Sequence, residues 1–192
     1  MYNRIIKRHL DIIFSILLFF LMSPIIVFIT MLLFLVYGRK NIFFIQERPG
    51  KDLKIFSLYK FKTMIDNNDH LSDDLRITYL GKLLRKSSMD EVPQLYNIFK
   101  GDMSFIGPRP LLVEYIPKYS KTEIKRHNVR PGLTGFAQVK GRNNLPFKDR
   151  FEADLWYVNN LSFQIDVKIF FLTIYKVLKF ENYYSQDPNE FV

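Results

Sequence analysis

A long apolar segment near the start of the chain limits what the chain can fold into. No charged side chain occurs from Ile12 to Gly38, and a helix that crosses a bilayer needs about 20 apolar residues. The segment is too long for the apolar core of a signal peptide, and "VYGRKN" follows it in place of a cleavage site. The sequence therefore predicts a membrane-embedded helix that the protein retains.

A Ser-Pro pair, Ser23-Pro24, divides this segment into two halves. Proline removes a backbone donor and kinks a helix, and the Ser23 hydroxyl can satisfy a carbonyl that the proline leaves without its donor. Each half is about 18 Å long at 1.5 Å per residue, which is near half the hydrocarbon thickness. A simple membrane anchor does not need a kink at its centre, so the Ser-Pro pair indicates that this helix does more than cross the bilayer once.

Positive residues flank the segment on both sides, and positive charge marks the cytoplasmic side of a membrane protein. The flanking residues are Arg4, Lys7 and Arg8 before the segment, and Arg39, Lys40, Arg48 and Lys51 after it. A straight spanning helix places one cluster on the wrong face. The pattern favours a re-entrant helix, broken at Ser23-Pro24, whose ends lie on one face; the alternative is a Pro-kinked spanning helix.

Charge and cysteine usage narrow the function classes. The 192 residues carry a net charge of +9, and a basic surface suits nucleic acid, anionic lipid or phosphorylated substrates. No nucleic-acid-binding motif occurs, so the expected partners are lipid and phosphorylated molecules and not nucleic acid. The absence of cysteine excludes disulfides, thiolate zinc sites and thiol nucleophiles.

The rest of the chain predicts a helix-rich α/β (α+β) domain. "NIFFIQERPGK" and "LKIFSLYKFKTM" read as two strands joined by a Pro-Gly turn, which predicts a small β-hairpin. Leu80, Leu83 and Leu84 have helical spacing, and Ser88 with Glu91 fits a capping box at the start of the next helix. We therefore expect residues 1–38 to form the membrane helix and residues 39–192 a cytoplasmic domain at the membrane interface, which is the part of the chain where a catalytic site is to be sought.

The C-terminal segment "DVKIFFLTIYKVLKF" predicts an amphipathic helix with two possible roles. Apolar residues share one face: Val167, Phe170, Phe171, Ile174, Val177 and Leu178. That face either packs in the core or lies on lipid headgroups.

An acidic pair, Asp90-Glu91, lies between basic residues in the sequence: Arg85 and Lys86 precede it, and Arg109 follows it. Acidic residues in the first turn of a helix stabilise it against the dipole, so a helix cap accounts for the pair by itself. The functional alternative is phosphoryl transfer, because a carboxylate near arginines can bind Mg²⁺ or attack phosphorus while the cations neutralise phosphoryl oxygens.

Four segments of the chain resemble the bacterial sugar transferase family, the monotopic phosphoglycosyl transferases. They are "QERPGK…YKFKTM", "LRKSSMDEVPQLYNIFKGDMSFIGPRPLL", "RPGLTGFAQVKGRNN" and "DLWYVNNLSFQIDVKIFFLT", in the family's order. The resemblance covers nearly the whole chain, and the run from Leu84 to Leu112 is highly specific. The length is similar to the family's minimal catalytic form.

The resemblance implies a reaction. Family members move a sugar 1-phosphate from a UDP-sugar to a polyprenyl (undecaprenyl) phosphate and release UMP, with Mg²⁺ as cofactor. It implies that Asp90 is the nucleophile, forms a covalent phosphosugar intermediate and binds the metal, and that Glu91 assists. It also implies that Arg85, Arg109, Lys60 and Arg142 bind phosphates or other parts of the substrates.

The resemblance further implies where the protein works. The expected place is the cytoplasmic face of the bacterial inner membrane, with inner-membrane lipid and downstream glycosyltransferases as further partners. The reaction is the first membrane step in the synthesis of capsule, exopolysaccharide, lipopolysaccharide or glycoprotein. The family's membrane helix is re-entrant and broken at a Ser-Pro pair, which matches Ser23-Pro24.

Three positions depart from the family pattern: Leu53 replaces a frequent glycine, Lys62 an arginine, and Phe147 a tryptophan. None of these positions belongs to the acidic pair, so they do not change the reaction that the resemblance implies. They do prevent an assignment of the sugar by resemblance. Two other functions stay open: a membrane phosphotransferase with another activated phosphate donor, and a non-catalytic anchored scaffold for glycan assembly.

Overall fold

The computed structural model describes residues 2–38, 42–65, 73–141 and 145–179. A π-helical turn, Tyr2–Ile6, precedes the first helix. The helices and strands that follow, in chain order, are α1 Lys7–Tyr37, β1 Phe43–Pro49, β2 Ile55–Phe61, α2 Asp73–Arg76, α3 Tyr79–Lys86, α4 Gln94–Lys100, β3 Ser104–Ile106, β4 Gly132–Thr134, α5 Phe136–Gly141, α6 Phe147–Asn159 and α7 Phe163–Leu178. The domain is helix-rich, as the sequence predicted.

The strands form two small sheets. β1 and β2 are antiparallel, with Phe43 opposite Phe61 and Pro49 opposite Ile55, which confirms the predicted hairpin. At its tip, Leu53 has a φ of 61°, in the left-handed region that favours glycine. Leucine at this position is one of the three departures from the pattern of the family that the sequence resembles.

The second sheet is parallel and consists of β3 and β4. The backbones pack closely there, because a Cβ atom at Gly132 would lie 2.1 Å from the Gly107 nitrogen. No residue with a side chain fits at that distance. The sheet thereby fixes the start of the "GPRP" loop that carries Arg109.

Three apolar clusters hold the helices and sheets together. The first joins the hairpin to α4 through Phe56, Leu58, Leu95, Ile98 and Met103. The second joins β3 to α5, α6 and α7 through Ile106, Val129, Val139, Tyr157 and Ile169. The third joins α1 to β2 and α3 through Ile29, Leu33, Phe61 and Leu84.

The helix α1 runs for 31 residues with Pro24 inside it. The predicted break at Ser23-Pro24 is therefore not an interruption of the helix, and this part of the expectation is corrected. The local chemistry explains why the helix continues: the Ser23 hydroxyl donates to the Phe20 carbonyl at 2.8 Å. Phe20 is the residue whose carbonyl Pro24 leaves without a backbone donor, so serine replaces the missing hydrogen bond.

Both ends of α1 contact the same folded part of the chain. Near its start, Arg8 donates to the Ile98 and Phe99 carbonyls at the end of α4, each at 2.6 Å. At its end, Tyr37 forms a 2.6 Å hydrogen bond with Thr78, the N-cap of α3. Between these ends, most side chains of α1 are exposed, and many are large and apolar. The helix is long and apolar enough to enter a membrane, and it is not a buried core helix.

A buried carboxylate, Asp11, ties the first half of α1 to β3. Its Oδ1 atom accepts hydrogen bonds from the Ser104 hydroxyl at 3.0 Å and from the Phe105 backbone N–H at 3.1 Å. The helix at Asp11 therefore lies against the strand that leads into the "GPRP" loop. α1 is built into the domain and is not attached to it at one end only.

The helix α7 turns a different face to the core than its sequence pattern indicated. Ile169 is buried and Ile165 and Leu172 pack beside it, whereas Phe170, Phe171 and Ile174 of the predicted apolar face are exposed. The exposed large apolar side chains of α7 are Phe163, Phe170, Phe171, Ile174 and Tyr175. The reading of that face as a core face is wrong, and its exposure favours the membrane-surface alternative.

Two further expectations are corrected locally. No side-chain capping hydrogen bond forms at Ser88, because this residue has a φ of 59° and starts a 3-10 turn, Met89–Glu91, ahead of α4. The glycines of "RPGLTGFAQVKGRNN" predict strand and turn, whereas the segment directly after β4 is the helix α5.

Candidate functional site

The acidic pair lies on the 3-10 turn Met89–Glu91, between α3 and α4. The left-handed residue Ser88 reverses the chain after α3, so Asp90 and Glu91 project from a tight turn and not from a regular helix. Pro93 then starts α4. The tight turn places two consecutive carboxylates in one buried region with different neighbours.

Glu91 is held by two cations. Its Oε1 atom accepts hydrogen bonds from Lys60 Nζ at 2.7 Å and from Arg109 at 2.9 Å. Burial raises the pKa of Glu91, but the charges and hydrogen bonds of Arg109 and Lys60 outweigh it and hold the pKa well below its ordinary value. Glu91 is therefore ionised at neutral pH, and such a weak base is poorly suited to accept a proton in catalysis.

Asp90 has the opposite environment. It is 6% exposed, and its Oδ1 atom is buried with no hydrogen-bond partner among the residues that the structure describes. Burial and the neighbouring Glu91 charge raise the pKa of Asp90 to about 6, although Lys60, Arg85 and Arg109 act in the other direction. A buried carboxylate without a partner is costly for the fold, and such perturbed groups cluster at functional sites.

Two of the predicted arginines, Arg85 and Arg109, are positioned by buried groups. Arg85 donates through Nε to the Thr63 hydroxyl at 3.0 Å. The backbone carbonyl of Arg109 accepts a 2.7 Å hydrogen bond from Arg126, which also pairs with Asp154 at 2.6 Å. The side chains of Arg126 and Asp154 are each 3% exposed, so this ion pair anchors the "GPRP" loop from inside the domain.

The structure adds one cation that the sequence analysis did not assign to the site, Arg48 on β1. It donates to the Pro110 carbonyl at 3.2 Å and to the side chain of Gln46. Burial and the Arg109 charge lower its pKa to about 10, while the Glu91 charge raises it. Arg48 therefore lies within electrostatic reach of the acidic pair. The sequence indicated Arg48 only as a charge that flanks the apolar segment, although it lies in the family-like run "QERPGK". The fold of the hairpin brings it to the "GPRP" loop, where it binds the Pro110 carbonyl.

The described side chains of the site carry an excess of positive charge. Four cations, Lys60, Arg48, Arg85 and Arg109, act on two carboxylates. Two positive charges are thus left without a matching carboxylate in this group. An anion with two negative charges, such as a diphosphate, compensates them.

A magnesium ion requires oxygen ligands, and the site offers few of them from the protein itself. The described residues contain no cluster of three or more metal-ligating side chains. Mg²⁺ is nevertheless commonly bound by one or two carboxylates together with substrate phosphates and water. The buried Asp90 Oδ1 atom, which lacks a partner in the described part of the chain, fits one such ligand position, whereas Glu91 already binds two cations.

The structure therefore brings together Asp90, Glu91, Lys60, Arg85 and Arg109, which the sequence analysis chose from distant parts of the chain. Arg142 lies outside the described residues, and its role stays a prediction. The roles of the others in catalysis also stay predictions, although their grouping is a finding.

Comparison with known proteins identifies the family. Residues 2–180 match the model of the family described as bacterial sugar transferase. Over 178 residues the chain is 48% identical to a Bacillus subtilis protein named as the uncharacterized sugar transferase EpsL, and covers 88% of it. The chain belongs to the bacterial sugar transferase family.

Other relatives carry more specific names. A Klebsiella pneumoniae protein named UDP-glucose:undecaprenyl-phosphate glucose-1-phosphate transferase is 37% identical over 91% of this chain, which spans 40% of that protein. The exopolysaccharide production protein ExoY of Sinorhizobium fredii is 35% identical over 88% of this chain and 83% of the relative. The chain thus spans most of EpsL and ExoY, and less than half of the larger transferase.

Proposed function

We propose that this protein transfers a sugar 1-phosphate from a UDP-sugar to a polyprenyl (undecaprenyl) phosphate and releases UMP. One observation carries the proposal. Asp90 is buried, and its Oδ1 atom has no hydrogen-bond partner among the described residues, while the adjacent Glu91 binds Lys60 and Arg109. Family membership and the names of the relatives in Klebsiella and other bacteria support it. The product opens polysaccharide synthesis, as the name of ExoY indicates for that relative.

In the proposed first step, the Asp90 carboxylate attacks the β-phosphorus of the UDP-sugar. A bond forms between an Asp90 oxygen and phosphorus, the bond from phosphorus to the bridging oxygen breaks, and UMP leaves with that bond's electron pair. Asp90 then carries the sugar phosphate as an acyl phosphate. The excess of positive charge from Arg48, Arg85 and Arg109 offsets the charge on the phosphoryl oxygens.

In the second step, an oxygen of the polyprenyl phosphate attacks the same phosphorus. The bond to Asp90 breaks, the free carboxylate is regenerated, and the product is a polyprenyl diphosphate sugar. Glu91 keeps its proton-free form through both steps because its pKa is held low by two cations. Its proposed role is to position Lys60 and Arg109 toward the phosphates and not to act as a base.

Magnesium is the proposed cofactor. Asp90 would hold it together with substrate phosphates, and the ion would neutralise charge on the phosphoryl oxygens. The residues of the chain supply positioning, burial and the remaining positive charge.

The proposed place of action is the cytoplasmic surface of the bacterial inner membrane. A straight helix of 31 residues is about 46 Å long, more than the hydrocarbon thickness of a bilayer. Arg8 and Tyr37, near its two ends, both contact the folded domain, and a helix that spans the bilayer has its ends on opposite faces. We propose that α1 enters the membrane, bends at Pro24 without an interruption of the helix, since proline kinks a helix, and returns to one face. The exposed apolar side chains of α7 then lie at the headgroups.

The proposal is tested with purified protein, UDP-sugars, undecaprenyl phosphate and Mg²⁺, with UMP as the readout. UMP release that depends on lipid acceptor is expected for one or more donors. Asp90→Asn should abolish it, whereas Asp149→Asn on α6 should not. Without acceptor, mass spectrometry should find a sugar phosphate on Asp90. No UMP from any UDP-sugar would overturn the transferase, and normal turnover by Asp90→Asn would overturn the covalent route.

Topology is tested separately by cysteine labelling, since the chain has no cysteine of its own. Single cysteines at Asn3 and Asn41, on either side of the apolar segment, should both react from the cytoplasmic side. Labelling from opposite sides would show a spanning helix.

A further inference from the structure

The guanidinium of Arg85 depends on one side chain for its described hydrogen bond. Arg85 Nε donates to Thr63 Oγ1 at 3.0 Å, and Thr63 is 6% exposed. The charge of Arg85 acts on Asp90. A long side chain with many rotamers loses its direction without such a partner, so the position of Thr63 decides where this charge lies.

Thr63 is in turn held through its backbone carbonyl. The carbonyl accepts a hydrogen bond from the Thr78 backbone N–H at 3.1 Å and lies close to the Thr78 hydroxyl at 3.4 Å. The start of α3 also packs directly on it, because a Cβ atom at Gly81 would lie 2.0 Å from the Thr63 oxygen. Thr63 and the first turn of α3 are therefore fixed to each other without space for adjustment.

The last member of this sequence of contacts is Tyr37, the final residue of α1. Its hydroxyl lies 2.6 Å from Thr78 Oγ1, and Thr78 Oγ1 also accepts from the Gly81 backbone N–H at 3.0 Å. One donor direction satisfies every group: Tyr37 donates to the Thr78 hydroxyl, and that hydroxyl donates to the Thr63 carbonyl. The contacts then lead without a gap from the membrane helix to Arg85.

We propose that Tyr37, Thr78 and Thr63 form a positioning chain that fixes Arg85 beside Asp90, so that the C-terminal end of the membrane helix is part of the active-site scaffold. The inference rests on the proposed transferase function and deepens it. It assigns α1 a role in substrate binding as well as in membrane attachment. Thr63, Thr78 and Tyr37 are positioning residues, since their side-chain hydrogen bonds in the described part of the chain go to one another, to the start of α3 and to Arg85, and not to Asp90 or Glu91.

The positioning chain holds an arginine that is expected to bind the phosphates of the substrates. Both substrates carry phosphate, and Arg85 is one of the cations expected to hold it. A misplacement of about 1 Å in a positioning group can reduce a rate strongly. The third apolar cluster, which contains Leu33 of α1 and Leu84 beside Arg85, packs along the same path, so the hydrogen bonds and the apolar contacts fix the same two helices.

The test compares matched variants in detergent, where membrane attachment does not limit the reaction. Thr63→Val keeps the shape of the side chain and removes the acceptor for Arg85, whereas Thr63→Ser keeps the acceptor. Tyr37→Phe removes one hydroxyl from the chain. Tyr79→Phe makes the same change at a neighbouring residue that is 80% exposed and serves as the control.

We expect Thr63→Val to raise the donor KM or lower kcat by about tenfold, in keeping with the loss of a charge-assisted hydrogen bond. Tyr37→Phe should cause a smaller loss of about threefold. Thr63→Ser and Tyr79→Phe should retain wild-type values. The melting temperature separates a positioning effect from unfolding: the kinetic loss should persist at temperatures where all variants are folded.

Wild-type kinetics in folded Thr63→Val or Tyr37→Phe would overturn the positioning chain. Equal losses in Thr63→Val and Thr63→Ser would also contradict it, because the hydroxyl is then not the operative group. A wild-type protein without any transferase activity is a distinct result, which counts against the proposed function and not against the positions of these residues.

Discussion

Asp90 and Glu91 are adjacent in the chain, yet their environments displace their pKa values in opposite directions. Burial and the charge of Glu91 raise the pKa of Asp90 to about 6, while Arg109 and Lys60 overcome burial to lower that of Glu91. Two carboxylates with separated pKa values are typical of sites that give them different roles. Here Asp90, the carboxylate whose pKa is raised, is the proposed nucleophile.

The pH profile of the reaction tests this relationship. Only ionised Asp90 can attack phosphorus, so kcat/KM for the donor should fall as the pH drops through about 6. Glu91→Gln removes a charge that raises the Asp90 pKa, and the acidic limb of the residual activity should move to lower pH. A limb that stays in place or moves upward would show that Glu91 does not act on Asp90.

Asp90→Asn should stabilise the protein while it abolishes turnover. The folded state raises the pKa of Asp90 from 3.8 to about 6, so between these values the folded state binds more protons and stability falls as the pH rises. The loss is complete above pH 6 and is on the order of 3 kcal/mol for two pKa units. In EDTA at pH 8 the variant should melt higher than wild type, and below pH 4 the difference should vanish.

Asp149→Asn is the matched control for that measurement, and its melting temperature should change little. A lower melting temperature for Asp90→Asn at pH 8 would show that the carboxylate contributes to stability instead of reducing it.

His127 should make the protein less stable in mild acid. Burial and the Arg126 charge lower its pKa to about 4, while an unfolded histidine has a pKa near 6.5. The unfolded state therefore takes up the proton first, and stability is lost as the pH falls below 6.5, by about 2 kcal/mol at pH 5. His127→Gln should remove this part of the pH dependence of the unfolding free energy, whereas His9→Gln at an exposed position should retain it.

The Arg126–Asp154 pair should matter more for stability than any exposed pair. Asp154→Asn leaves a buried guanidinium without its counter-charge, and such losses amount to about 3–5 kcal/mol. Lys100→Gln breaks an ion pair whose lysine side chain is 54% exposed, so we expect a much smaller change in the free energy of unfolding there, because solvent screens exposed pairs. Chemical denaturation in detergent measures both, and equal effects would contradict the anchoring role of Arg126.

Arg48 should contribute to donor binding. Arg48→Gln removes one of the four cations that act on the acidic pair, and the donor KM should rise about tenfold, with little change in the melting temperature. Lys51→Gln, an exposed change close by in the sequence, should leave the donor KM unaltered. An unchanged KM in Arg48→Gln would place this arginine outside the phosphate site.

Much of the site could be chosen from sequence because its chemistry is local. The Asp90-Glu91 pair and the "GPRP" arginine stand in one run of about thirty residues, and the family resemblance covers that run. Arg48 was missed because it belongs to this site only through the register of the hairpin and a contact with the Pro110 carbonyl. Such contacts between distant segments leave no local pattern.

For the helices too, the sequence predicted the local structure but not which residues pack in the core. The apolar spacing on α7 correctly indicated a helix, but its periodicity could not decide which apolar face packs on Ile106 and Tyr157 and which stays exposed. A capping box at Ser88 was compatible with the residue types but does not form, because Ser88 has a left-handed backbone and starts a 3-10 turn, and the Glu91 carboxylate binds Lys60 and Arg109 instead. Residue type defines what a segment can form, and the packing partners choose among the possibilities.

By itself the sequence determined the long apolar helix, the hairpin and the acidic pair among basic residues, since hydropathy, turn residues and charge act over short distances along the chain. The tertiary structure alone decided that both ends of α1 contact one domain, that Ser23 replaces the hydrogen bond missing at Phe20 without interrupting the helix, and that Asp90 and Glu91 differ. Burial and charge pairing depend on which distant side chains meet, and only the folded chain brings them together.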